Sequence, residues 1–154
     1  MRTKAELLAA LESSRDDVVD GIEGRDLSVG VYEGGWSGHG LLAHIASMEW
    51  TYPRILELPA ATEEEAARPR DTSVSVDDYN RRQVERRANV PVGDLVQEFL
   101  RNRARTIEAV EACPEDAFDR RVRSAGGTVG TVADVLWFVA VEHVRGHLED
   151  LRTA

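Results

Sequence analysis

Thr131-Val-Ala-Asp-Val-Leu-Trp-Phe-Val-Ala-Val-Glu-His-Val-Arg-Gly-His-Leu-Glu-Asp-Leu151 is the stretch whose reading decides the fold. Val132, Leu136 and Val139 recur at helical spacing, and the same line runs on through His143 and His147. Residues four apart on an α-helix lie one turn above each other. Two imidazoles therefore stand in register at the C-terminal end of a face that otherwise reads as core. Thr131 followed by Asp134 reads as a capping box with Asp in place of Glu, which sets the helix start. Imidazoles buried on an apolar face need partners, because an unpaired buried polar group is costly. A transition-metal ion, a carboxylate or a backbone carbonyl would serve. Taken alone, His-x-x-x-His is a weak sign of a metal, and two partly exposed side chains among Glu142, Arg145 and Glu149 account for it better. Trp137, Val141, Val144 and Leu148 form a second apolar stripe on the same helix. A helix wet on one side has no use for it, so this surface is expected to lie under a loop or to pair with another copy. A homodimer through this helix is the expectation.

Three more long amphipathic helices precede it. Thr3 and Glu6 form a capping box ahead of the stripe Leu7, Leu8, Leu11, Val18, Val19 and Ile22, and Gly21 and Gly24 supply the stop. A glycine-rich connection follows and reads as irregular, with Val29, Val31 and Tyr32 laid across the end of a bundle. Ser37 caps the second helix, with Trp36 before it and Leu41 at N4 as a hydrophobic staple. Leu41, Ile45, Met48, Tyr52 and Ile55 mark its apolar side, and His44 falls on that side. Pro53 should kink this helix or make it restart, and Pro59 ends it. Residues 60–75 read as a surface crossover with a helical turn near the glutamates. Ser75 and Asp78 cap a short helix carrying Tyr79, Gln83, Val84 and Arg87, which Pro91 interrupts. The third long helix begins near Val92, buries Leu95, Val96, Phe99, Leu100, Ile107 and Val110, and closes at Cys113-Pro114. Gly126-Gly127 then reads as a hairpin tip. Four long helices with long crossovers predict an all-α, four-helix bundle, a single domain over residues 1–154.

Composition narrows the function classes. The chain has 154 residues, 42% apolar and 31% charged, as in a globular domain with one core. No run approaches the roughly 20 apolar residues of a membrane span, and Met1-Arg-Thr-Lys-Ala-Glu6 has no signal-peptide core. One cysteine forms no internal disulfide, so a cytoplasmic location is expected. Cys113, beside a helix-ending proline, reads as structural. A net charge of −9 argues against nucleic acid. Its basic runs (Arg81, Arg82, Arg86 and Arg87; Arg101, Arg103 and Arg105; Arg120, Arg121 and Arg123) read as solvated faces.

His44 on the second helix can meet His143 and His147 on the last one. Three neutral imidazoles are a common set of ligands for Zn²⁺, Ni²⁺ or Fe²⁺, and leave positions open for water or substrate. His39, in the first turn, reads as solvent-facing or as a loop cap. Tyr52, Tyr79 and Trp50 are candidate substrate walls, and Asn80, Arg81 and Arg87 candidate holders of an anionic substrate.

The segment Gly35-Trp-Ser-Gly-His-Gly-Leu-Leu-Ala-His-Ile-Ala-Ser-Met-Glu49 resembles the helix-two signature of the DinB-like superfamily. That superfamily takes in DinB bundles, the N-terminal domain of mycothiol-dependent maleylpyruvate isomerase, bacillithiol-transferase-like proteins and ClbS/DfsB-type bundles. The histidine pair with its Leu-Glu-Asp-Leu tail matches too, as do, more loosely, Asn80 with its downstream arginines and Val90-Pro-Val-Gly-Asp-Leu95. The resemblance implies metal ligation by His44, His143 and His147. It also implies a low-molecular-weight thiol cosubstrate of mycothiol or bacillithiol type, transferred to a small electrophile, or a related hydrolysis or isomerisation. The isomerase reaction itself is not expected, since that resemblance comes with a further C-terminal domain. One departure is Gly38-His39-Gly40, where the family often has an acidic residue; glycine there weakens the helix start by about 1 kcal/mol. A binding bundle without turnover, or a stress-related structural dimer with a stabilising metal, is the alternative.

Overall fold

The computed structural model describes residues 2–33, 35–69 and 76–154. Helix α1 (Lys4–Ile22) opens on the expected capping box. The Thr3 side chain accepts from the Glu6 N–H, and the Glu6 carboxylate accepts from the Thr3 N–H, an arrangement worth about 1 kcal/mol. Gly24 takes a left-handed turn at φ 70°. The following connection is more ordered than its glycines suggest. Gly30 bridges Ser37, and the Val31 N–H donates to the Trp36 carbonyl, so Gly30 and Val31 pair back on Trp36 and Ser37. Gly35 closes this turn against Tyr32, where a Cβ would lie 2.9 Å from the Tyr32 Cβ.

Ser37 then caps α2 (Gly38–Glu49) by accepting from the Gly40 N–H. Pro53 has the expected effect: the helix ends and the chain restarts as a tighter 3-10 turn over Tyr52–Glu57. The glutamate-rich crossover holds α3 (Glu63–Ala67), itself capped by a Thr62/Glu65 box. Helix α4 (Val76–Arg86) follows; Ser75, expected as its cap, lies outside the described residues. Helix α5 (Val92–Ala112) leads through a short 3-10 turn to a hairpin of β1 (Arg121–Arg123) and β2 (Val129–Thr131). Val122 faces Gly130 in that hairpin, and its tip carries Gly127 at φ 84°.

The expected last helix is two helices joined by a wider turn. Helix α6 (Val132–Trp137) passes into a π-helical turn (Phe138–Glu142) and then α7 (His143–Thr153). A π-turn accommodates one extra residue, so the core face shifts off the Val139 line. It runs from Val132 and Leu136 through Ala140, Val141 and Val144 to Leu151, all buried. Thr131 accepts from the Asp134 N–H, but the Asp134 carboxylate does not complete a capping box; Arg2 binds it instead at 2.8 Å.

The four long elements form a bundle in which α1 and α7 run parallel. Gly21 of α1 meets Leu148, near the C-terminal end of α7, and Gly38 of α2 meets Leu151. Helices α2 and α5 run the opposite way: His39 reaches the Val90 carbonyl just ahead of α5, and Lys4 caps the last carbonyls of α5. Parallel α2 and α5 are why residues 50–91 must cross the length of the bundle. The core has two halves, one around Leu7, Leu11, Phe118 and Leu136, the other around Val18, Leu42, Phe99 and Val144. The second apolar stripe of the last helix is covered inside the chain. Val141 and Val144 are buried, Leu148 packs on α1, and Arg2 lies 4.6 Å over the Trp137 ring. The stripe therefore does not itself require a second copy. No helix among the described residues is long and apolar enough to cross a membrane.

Candidate metal centre

His44, at mid-α2, is 4% exposed. It meets His143 and His147 from α7, one ring nitrogen from each residue lying within 4.8 Å of the others. The two α7 rings stand nearly perpendicular with centroids 4.4 Å apart, and their Nε2 atoms are 2.9 Å apart. The sequence line placed all three in the interior, and the structure corrects this. The shift at the π-turn carries His143 to the surface and leaves His147 half-buried. The centre thus opens to solvent on the His143 side and is closed on the His44 side.

Burial drives the His44 pKa down to about 3, helped by the two neighbouring imidazoles, and likewise lowers His147 to about 4. Both rings are neutral at pH 7, the state in which imidazole binds a metal. Tyr32 fixes the His147 tautomer. Its single hydroxyl proton goes to Asp150 at 2.6 Å, so its 2.9 Å contact to His147 Nδ1 requires that nitrogen to donate. Nε2 then faces the cluster with its lone pair. Burial and the Asp150 carboxylate hold the Tyr32 phenol well above its usual pKa. Trp36 lies against the His44 ring at 4.7 Å. Gly40 makes room for it: a Cβ there would come within 3.1 Å of Trp36 Cβ. The glycines that cost α2 helix propensity are where the Trp36 loop and Leu27 pack.

His44 Nδ1 is buried without a hydrogen-bond partner. Three neutral imidazoles, one with an unmet nitrogen and one oriented by a Tyr–Asp pair, suit a transition-metal ion. The family model of the mycothiol maleylpyruvate isomerase N-terminal domain matches residues 4–152. The chain belongs to this family. Among solved structures it is similar to the mycothiol-dependent maleylpyruvate isomerase, with a TM-score of 0.73 at 19% identity, over 98% of this chain and 63% of that one. It therefore spans less than two-thirds of that protein. It is also similar to YfiT from Bacillus subtilis, described as a probable metal-dependent hydrolase with an unusual four-helix bundle topology. There the TM-score is 0.71 at 14% identity, over 97% of this chain and 84% of that one. These likenesses establish the four-helix bundle fold. No curated protein matches the chain by sequence.

The other candidate residues of this family member are placed differently. Tyr52 is 3% exposed within the core and offers no wall to a substrate. Tyr79 is exposed on α4. Arg81 is held by Asp78 and Glu85, and Arg87 by Glu98 and Gln83, so both guanidiniums are already engaged. Asn80 is half-buried, with its Oδ1 buried and unpartnered. Trp50 is exposed, with Arg105 stacked over it at 3.8 Å. His39 binds the Val90 carbonyl at 2.7 Å and stands outside the cluster. Cys113 is half-buried against the core. Tyr32, Asp150 and Phe138 were not anticipated. Exposed Phe138 lies 6.4 Å from the His143 ring, on the open side of the centre.

Proposed function

We propose that the protein is a metal-dependent enzyme that transfers a low-molecular-weight thiol of mycothiol or bacillithiol type to a small electrophile. One observation carries this reading: three imidazole nitrogens within 4.8 Å of one another, built from two helices and open on one side. His44, His143 and His147 would hold the ion. When bound, a divalent transition metal supplies a Lewis acid that keeps a thiol ionised or polarises a substrate oxygen. The chain's own part is positional. Tyr32 and Asp150 hold His147 in one tautomer. Trp36 covers the inner ring and excludes water from that side. Phe138 presents an apolar surface beside the exposed ligand. Membership of a family named for a mycothiol-dependent enzyme favours thiol transfer. Hydrolysis at the same centre is the second reading, favoured by the likeness to a probable metal-dependent hydrolase.

The test uses untagged, metal-loaded protein with monochlorobimane and either mycothiol or bacillithiol. Consumption that requires both metal and thiol, and that His44→Ala abolishes, supports the proposal. Bound metal with neither thiol-dependent nor hydrolytic turnover would favour a binding bundle or a stabilising metal instead.

A further inference from the structure

Arg103 on α5 is fully buried, and so is its partner Glu49 on α2. All five N–H donors of the guanidinium are used. Nε and Nη2 form a fork on the Glu49 carboxylate at 2.7 and 3.0 Å. Nη1 donates to the Leu11 carbonyl and to Ser14 Oγ of α1, both at 2.7 Å. Nη2 also donates to the Ala140 carbonyl at 2.8 Å. A planar five-donor fork suits such a junction and an ammonium does not.

Stability alone is a poor account of this arrangement. Desolvating a charged pair is expensive, and apolar replacements of similar volume often fold as well or better. What distinguishes the junction is where its partners lie. Glu49 is five residues beyond His44 on the same helix. Ala140 sits inside the π-turn, three residues before His143. One side chain on a third helix thus joins both segments that carry the imidazoles, at the turn that sets the rotation of α7. Ser14 also contacts the Ala140 carbonyl, at 3.4 Å.

We infer that Arg103 and Glu49 are positioning residues of the histidine centre, fixing α2 against the π-turn so that His44 meets His143 and His147. This rests on the three-histidine reading above, and its test separates the two. The double variant Arg103→Met, Glu49→Met removes both charges together and leaves neither unpaired. Arg103→Lys keeps a cation beside Glu49, and so protects the fold, but cannot span Glu49, Leu11 and Ala140 at once. Each is compared with wild type by Zn²⁺ competition against a chromophoric chelator, by the visible absorption of bound Co²⁺, and by thermal melting of the metal-free protein. We expect metal-free melting close to wild type in the double variant and a lower but still cooperative melt in Arg103→Lys, whose three donors leave buried acceptors unmet. In both, Zn²⁺ affinity should weaken about 10–100-fold, as for loss of groups that orient metal ligands. The Co²⁺ spectrum should change as well. Unchanged affinity and spectrum in either folded variant would reduce Arg103 to a core residue while leaving the metal centre standing. A wild-type chain that takes up no Co²⁺ or Zn²⁺ would overturn the centre itself, and this inference with it.

Discussion

Replacing Tyr32 by phenylalanine isolates the hydrogen bonds that orient His147. The ring stays, with its edge-on contact to His147 at 6.4 Å, so packing is preserved. Only the hydroxyl goes, and with it a 2.9 Å bond to His147 Nδ1 and a 2.6 Å bond to Asp150. Loss of a group that hydrogen-bonds a metal-ligating histidine weakens metal binding by roughly 10–100-fold. Asp150 is exposed and regains water, which places the effect near the lower end, about tenfold. Zn²⁺ competition at neutral pH reads that change directly, and melting of the metal-free protein serves as the control. A metal-free stability change of 1 kcal/mol would move Tm by roughly 2–4 °C in a chain of this size; Tyr32→Phe should move it less. Affinity within about twofold of wild type would refute the Tyr32–Asp150 assignment. So would a fall in metal-free Tm large enough to account for the whole affinity loss.

Three further outcomes follow from the geometry. His44 charges below 6.5 in the unfolded chain but only near 3 in the fold. The unfolded state therefore binds more protons between those values, and stability falls as pH drops through the window, by about 1.4 kcal/mol per pH unit at most. Denaturant melts of metal-free wild type against His44→Gln should show this slope in the difference, and none above pH 6.5; a flat difference would contradict burial of a neutral ring. Gly40→Ala gains helix propensity but drives a Cβ to within 3.1 Å of Trp36 Cβ and 3.3 Å of Val84 Cγ1. The tight Gly35 turn keeps Trp36 from moving, so we expect a net loss of about 1 kcal/mol by denaturant melting, and a more stable variant would show that the loop yields. Phe138→Ala should leave metal content and Tm nearly unchanged, because the ring is 42% exposed, while raising KM for apolar electrophiles; an unchanged KM would remove Phe138 from the site.

Much of the architecture was legible where local chemistry is decisive. The Thr3 box, the Ser37 cap, the Pro53 restart and the Gly126-Gly127 tip each constrain the backbone within a few residues. The π-turn was not legible, because Val139, Ala140 and Val141 are all apolar and either helical phase reads as core. Arg103 was hidden by its neighbours. Alternating with Arg101 and Arg105, both exposed, it looks like part of a solvated face, and only the fold brings Glu49 opposite it. The histidine triad emerged from spacing because two ligands share one helix. Tyr32, 118 positions before Asp150, carried no signal in its loop, although Asp150 lies three after His147 and so on a neighbouring face.

Metal content and ligation of untagged protein test the central claim most directly. Elemental analysis by inductively coupled plasma mass spectrometry, with X-ray absorption of the same sample, should find one transition-metal ion per chain ringed by three imidazole nitrogens. His44→Ala should lose the ion. Protein that stays metal-free after incubation with Zn²⁺, Ni²⁺ and Fe²⁺, or that holds an ion unaffected by His44→Ala, would contradict the account.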